Sequence, residues 1–300
     1  MPLTSLTPID VVAGIGLALL ATTLFSISPI LQKDALVSMK DLTTHGIRAS
    51  VKAMFTNRKW MIGFVLGLVG GFPYAVAVSM IGITVVEPLN NAGFIILVIA
   101  AVKYLHEKLR PVEKVAIVLL VVMPVCLGLS NVSQPLSDVT RLDVQLVLLL
   151  VTLVLLAITG ILAFLARTRP IYWVGVTSIY ISLGSIYLQA CMSIIAFAGY
   201  EFPAGVLSII VNLFADWRLF WGLVCGMLSF GFSIIFTYTS QIALQKNPAS
   251  KVGPLTQTID NFFTVAVGIL VLGQVVGNWA WYAAGFVLGI FGTVMLGKYE

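Results

Sequence analysis

The sequence predicts an all-α integral membrane protein, and three observations predict it. Hydrophobic residues make up 59% of the 300 positions and charged residues 10%, a balance suited to lipid rather than water. The apolar residues gather in continuous runs of about 20, the length a helix needs to cross a hydrocarbon core about 30 Å thick. The runs do not break into the short alternating segments of a membrane barrel.

Nine spans follow in order. Ile9 to Leu31 has no Lys or Arg before it in "MPLTSLTPID", so it is expected to stay as a helix rather than be cleaved as a signal. Trp60 to Gly82 follows the bases Arg58 and Lys59 and carries Gly63 and Gly67, a four-residue spacing of small residues that lets helices approach closely. Thr84 to Leu105 opens on Glu87, Pro88, Asn90 and Asn91; Pro88 lacks an N–H and is tolerated where the first donors are unpaired anyway. Pro111 to Ser130, Leu142 to Ala166 and Ile171 to Gly199 are bounded by Arg110, Arg141, Arg167 and Arg169. Trp217 to Leu244 repeats the glycine spacing at Gly222 and Gly226, and Ser250 to Leu272 and Asn278 to Leu296 complete the count. Between the first two spans, Ile47, Val51, Met54 and Phe55 share a helical face flanked by Arg48, Lys52, Arg58 and Lys59, which predicts a basic interfacial helix. Residues 35–56 could instead form a degenerate tenth span, which would move the N-terminus inside.

Alternating the spans from a cytoplasmic first loop puts 15 of the 17 basic residues inside and leaves Arg141 and Arg218 outside. The N-terminus is then outside and the C-terminus cytoplasmic, in a plasma-membrane protein. Cytoplasmic loops facing anionic lipid account for the net charge of +5 without a nucleic-acid partner. Asp10, Glu87, Asp138, Asp143, Glu201 and Asp216 make the outer face acidic. Cys126, Cys191 and Cys225 lie singly inside apolar runs, as small hydrophobes do, and no cofactor is expected.

The chain also repeats itself. "SVKAMFTNRKWMIG" has a counterpart in "IIVNLFADWRLFWG", and "EPLNNAGF…YLHEKL" in "GPLTQTID…VLGQVV", with Pro88 facing Pro254 and Glu107 facing Gln274. Residues 1–130 form the first repeat and 171–298 the second, within one transmembrane domain; 142–166 links them or opens the second half. The charge count threads the copies through the membrane in opposite senses, the organisation in which secondary transporters build a site near the midplane. The stretches "LQKDAL", "TVVEPL", "YLHEKLRPVEK" and "ALQKNPASKVGPL" resemble the drug/metabolite transporter superfamily with its EamA-like repeats. Over nearly the whole chain the resemblance is greatest to its NIPA branch of magnesium-transporter-like proteins. That resemblance implies nine or ten helices in inverted repeats around a cavity, transport without ATP and, in the branch, Mg²⁺ as substrate. Gln274 departs from the pattern, which usually has Glu there.

A carboxylate deep in a membrane is costly and is expected to face a cavity or a partner. Asp260 stands nine residues past Lys251, about 14 Å down a helix, and Thr256, Gln257, Asp260 and Asn261 form a polar stripe on one face. These residues are the first candidates to bind or couple a solute, with Asp260 also the candidate cation ligand. By the repeat relation Asn90 and Asn91 line the outer half of the path; Glu87, placed favourably against the helix dipole at a capped and solvated entry, is a further candidate. Tyr74, Gln189, Tyr238 and Gln241 are further buried hydrogen-bonding candidates, and Lys103, Glu107, Lys108, Arg110, Glu113 and Lys114 read as a solvated cluster. His45 and His106 fall in loops and make no metal site.

Three function classes follow. A secondary transporter of Mg²⁺ or another cation, or of a small polar metabolite coupled to protons, uses the repeats and Asp260. An intramembrane enzyme would need a nucleophile with its base or a zinc motif such as H-E-x-x-H, and the sequence has neither. A membrane scaffold would need neither the symmetry nor the buried acid. Expected partners are the bilayer, a small solute or cation and, as one oligomeric option, a second copy in a homodimer.

Overall fold

The computed structural model describes residues 8–44, 46–81, 83–130, 138–199, 211–212 and 216–297. Among them are ten helices and no strand: α1 (Pro8–Val37), α2 (Ile47–Thr56), α3 (Arg58–Ile81), α4 (Ile83–Tyr104), α5 (Pro111–Leu129), α6 (Leu142–Leu165), α7 (Tyr172–Phe197), α8 (Trp217–Lys246), α9 (Ala249–Leu270) and α10 (Trp279–Gly297). Each of the nine apolar runs forms a helix, and six, α1, α3, α5, α6, α7 and α8, are long and apolar enough to cross a membrane. The remaining expected helix, α2, has ten residues and a length of about 15 Å, half a bilayer core. Among the described residues, 35–56 therefore holds no helix of its own long enough to cross a bilayer.

Polar side chains fix where several helices start. At α5 Pro111 follows the cap position, and Glu113 Oε2 accepts from the Arg110 amide at 2.8 Å, the back-reaching half of a capping box. Asn57 accepts from the Trp60 amide at α3, Asp216 from the Arg218 amide at α8 and Asn278 from the Ala280 amide at α10. Helices α4 and α9 stop in the same way. His106 and Gly273 turn left-handed, with φ of 55° and 66°, and the next amides, of Glu107 and Gln274, reach back to the carbonyls of Ala101 and Gly268. These are the positions paired in the sequence repeat.

The chain divides into two compact units. Unit 1 holds residues up to Leu129 together with Gln241–Leu255 and the chain from Trp281 on, and unit 2 holds Ser130–Ser240 and Thr256–Ala280. The division cuts across the repeats, because the last three helices give residues to both units.

In unit 1, α3 crosses α1 so closely that a methyl group at Gly63 would stand 2.8 Å from the Ser28 carbonyl oxygen, and one at Gly67 2.9 Å from Ser28 Oγ. Gly93 of α4 lies over Thr22 and Ser26, and Ser26 Oγ donates to the Gly93 carbonyl at 2.8 Å. Gly285 and Gly292 of α10 lie against Leu127 and Leu120 of α5. In unit 2, α6, α7, α8 and α9 meet in an apolar core that includes Leu148, Leu155, Leu183, Ile186, Ile194, Cys225 and Val267. Its counterpart of the α1–α3 crossing sets Gly222 and Gly226 of α8 against Ile194 and Cys191 of α7, each 3.5 Å from an added methyl.

Candidate functional site

Helix α9 carries the stripe expected from the sequence, and its four residues belong to unit 2. Asp260 is buried, 7% exposed. Its Oδ1 accepts from Thr264 Oγ1 at 2.9 Å. One turn earlier, Gln257 Nε2 donates to Asn261 Oδ1 at 3.3 Å. The stripe is thus a ladder of two rungs, each joining side chains four residues apart on one face. Thr256 is buried and its hydroxyl oxygen has no partner. Gln189 of α7, in the same unit, keeps its buried Oε1 unpaired. Buried polar atoms left unpaired by protein are where water or a ligand gains most. The carboxylate, two amides and the hydroxyls are a neutral-to-acidic donor set suited to a cation or to the hydroxyl and amide groups of a polar solute. Tyr238 of α8 also belongs to unit 2 and is half-buried.

The other candidates fall in unit 1. Tyr74 is half-buried, edge-on to Phe25 at 6.0 Å, and Asn90 is half-buried on α4. The side chains of Glu87, Pro88 and Asn91, and His45 as a whole, lie outside the described residues. Gln241 is fully engaged in holding helices together: its Oε1 accepts from Trp60 Nε1 at 2.8 Å, and its Nε2 donates to Gln32 Oε1 at 2.8 Å. Gln32 in turn donates to Ser28 Oγ at 3.1 Å.

The exit of α4 departs from expectation. Lys103, Lys108, Arg110 and Lys114 are exposed, but Glu107 and Glu113 are not. Glu107 takes the amides of Ala249 and Ser250, at 2.7 and 3.1 Å, and the Ser250 hydroxyl, so it caps the first turn of α9 with a negative charge on the positive end of the helix dipole. Glu113 pairs with Lys251 at 3.0 Å, their side chains 4% and 7% exposed. On the other side of the α8–α9 elbow, Lys33 Nζ donates to the carbonyls of Leu244, Gln245 and Asn247, a cation on the negative end of α8. Gln245 donates to the carbonyls of Leu36, Met39 and Lys40 and accepts from the Leu42 amide. Lys246 pairs with Asp41 at 3.1 Å. The motifs "LQKDAL" and "ALQKNPASKVGPL", whose contacting residues Lys33 and Leu244 lie 211 residues apart in the chain, are thereby two halves of one clasp inside unit 1.

Sequence reasoning missed Thr264, Gln32 and Lys33. Thr264 had a signal, a hydroxyl four residues beyond the buried acid. Lys33 had a weaker one, a base at the end of an apolar run whose partners are backbone carbonyls of a distant segment. Among the described residues no group of three His, Cys, Asp or Glu side chains gathers to hold a metal ion. Compared with known proteins, the chain matches no family model, no curated sequence and no solved structure.

Proposed function

We propose that the protein is a secondary transporter of the drug/metabolite kind, multi-pass in the plasma membrane. Nine helices cross the bilayer, with the N-terminus outside and the C-terminus cytoplasmic, and two inverted repeats alternate access to a solute. The observation that carries this reading is Asp260. An acid that is 7% exposed on an apolar helix, in a ladder with Thr264, Gln257 and Asn261, is expensive to keep in a membrane unless it serves a pathway or a partner. The matched ends of α4 and α9, and the matched glycine crossings of α3 and α8, support common descent of the two halves.

The first substrate reading is Mg²⁺ or another cation. Mg²⁺ takes one or two carboxylates with retained waters, so Asp260 would meet a largely hydrated ion. The second reading is a small polar metabolite coupled to protons, favoured by the hydroxyl and amide neighbours of Asp260. Uptake into proteoliposomes decides between them: Mg²⁺ entry without a pH gradient supports the first, and metabolite entry that follows an imposed pH gradient supports the second. Replacing Asp260 by Asn is expected to lower uptake at least tenfold, the scale of a lost pairing of about 1.4 kcal/mol, while the unfolding midpoint changes little. Full transport by Asp260→Asn removes this residue from either mechanism, and no flux across a broad solute panel overturns the proposal.

A further inference from the structure

Helix α2 is divided lengthwise into three strips. At about 100° per residue, Ser50 and Met54 share one side and are buried in unit 1, and Ser50 Oγ donates to the Leu42 carbonyl at 3.3 Å. Next around the helix come Ile47, Val51 and Phe55, of which Ile47 and Phe55 are 66% and 51% exposed. Beyond them stand Arg48 and Lys52, both exposed and without a carboxylate partner among the described residues. Lys40 and Arg58, exposed at either end of the segment, add two more bases. The neighbouring acids are taken: Asp41 by Lys246, and Asp34 by Lys59 at 2.9 Å.

The level of this helix relative to lipid is fixed by its neighbour. A single residue, Asn57, joins α2 to α3, accepting from the Trp60 amide as the cap of α3 while its own amide closes α2 on Ala53 and Met54. Phe55 packs against Trp60 and Phe64 of α3, with ring centres 5.2 and 5.7 Å apart. From there α3 runs on as a span whose Ile62, Val65, Leu68 and Phe72 are exposed. A bilayer crossed by α3 would put the apolar strip of α2 where α3 enters hydrocarbon and its basic strip at the level of the phosphates.

We propose that α2 is a docking surface for anionic phospholipid, with Ile47 and Phe55 in the acyl boundary and Arg48 and Lys52 on the headgroups. An apolar strip beside unpaired bases at membrane depth complements an anionic leaflet and no soluble partner as well. This inference needs α3 to cross a bilayer but does not depend on transport or on Asp260.

Hydrogen exchange of the full-length protein in lipid nanodiscs tests it. Amides of Val51–Thr56 should exchange about tenfold more slowly in discs with roughly 30% phosphatidylserine than in phosphatidylcholine alone, and the slowing should vanish near 0.5 M salt. Arg48→Glu/Lys52→Glu, and the milder Arg48→Gln/Lys52→Gln, should each abolish the difference without changing exchange in α6. Soluble glycerophosphoserine should have no effect. Equal exchange in the two discs, slowing that survives either variant, or slowing reproduced by the soluble headgroup overturns the proposal.

Discussion

In unit 1, α3 lays Gly63 and Gly67 on Ser28 and Gln32 of α1, whereas in unit 2 α8 lays Gly222 and Gly226 on Ile194 and Cys191 of α7. The sequence spacing is the same, yet the first crossing has no room for a methyl and the second accepts one at ordinary contact distance. What differs is the opposing residue. Ser28 is short, so the α1 backbone itself comes up against α3, and the chain Ser28–Gln32–Gln241–Trp60 then stitches α1, α3 and α8 together. Opposite Gly222, the branched Ile194 holds the backbones apart. Small-residue spacing permits closeness, and the partner decides whether it is taken. The contrast extends to each unit's other ties: unit 1 is bound by buried charges and amides around the α8–α9 elbow, while unit 2 gathers its four helices on aliphatic and aromatic side chains.

The sharpest way to break this comparison is at the ion pair. Lys251→Met leaves the buried Glu113 carboxylate without its counter-charge and should cost about 3–5 kcal/mol, while Glu113→Gln combined with Lys251→Met should recover most of it. Both are read from unfolding in mixed micelles, and a single variant as stable as the double would show that the pair does not hold unit 1. Next come the glycines. Gly63→Ala should lose about 1–3 kcal/mol by overpacking, whereas Gly222→Ala should be neutral or gain up to about 1 kcal/mol from helix propensity; equal losses at both sites would erase the difference between the crossings. Within unit 2, Thr152 and Tyr187 share a buried hydrogen bond at 3.0 Å, and Thr152→Val should cost only about 0.6 kcal/mol, the average for such bonds in membranes.

The smallest effect concerns pH. Burial pushes the Asp41 carboxyl up, but the hydroxyl and amide of Thr43 and the ammonium of Lys246 outweigh it and hold the group below its ordinary value of 3.8. The contribution of this link is therefore complete above that value and is lost as the pH falls through the depressed one. Asp41→Asn should lower the unfolding midpoint slightly at neutral pH, by little because the pair is partly exposed, and should remove the part of the acid dependence that this carboxylate carries, so that variant and parent converge at low pH.

Much of the architecture was legible because lipid demands continuous apolar runs, and all nine became helices. Their ends were less so. α1 continues past Leu31 to Val37 because Gln32, Lys33 and Asp34 find partners in distant segments, and α8 reaches Lys246 for the same reason. The polar stripe on α9 could be read from helical spacing, but its rungs required seeing which side chains turn toward each other. Glu107 and Glu113 looked solvated because charge density beside a proline usually is; nothing local announces that the first turn of α9 will cover them. Gln241 looked like a pathway residue for the complementary reason, since a buried amide reads alike whether it serves a solute or another helix.

The clasp around the α8–α9 elbow has a consequence for biosynthesis. Glu107 waits for a partner 142 residues further along the chain, and Lys33 for one 211 residues further. An N-terminal half leaving the ribosome therefore carries an acid and a base intended for burial whose counterparts have not yet been made. Such a half-made chain stays unfinished at its polar end until the elbow arrives, so a truncation before residue 240 should be handled by the cell as misassembled, however apolar its helices are.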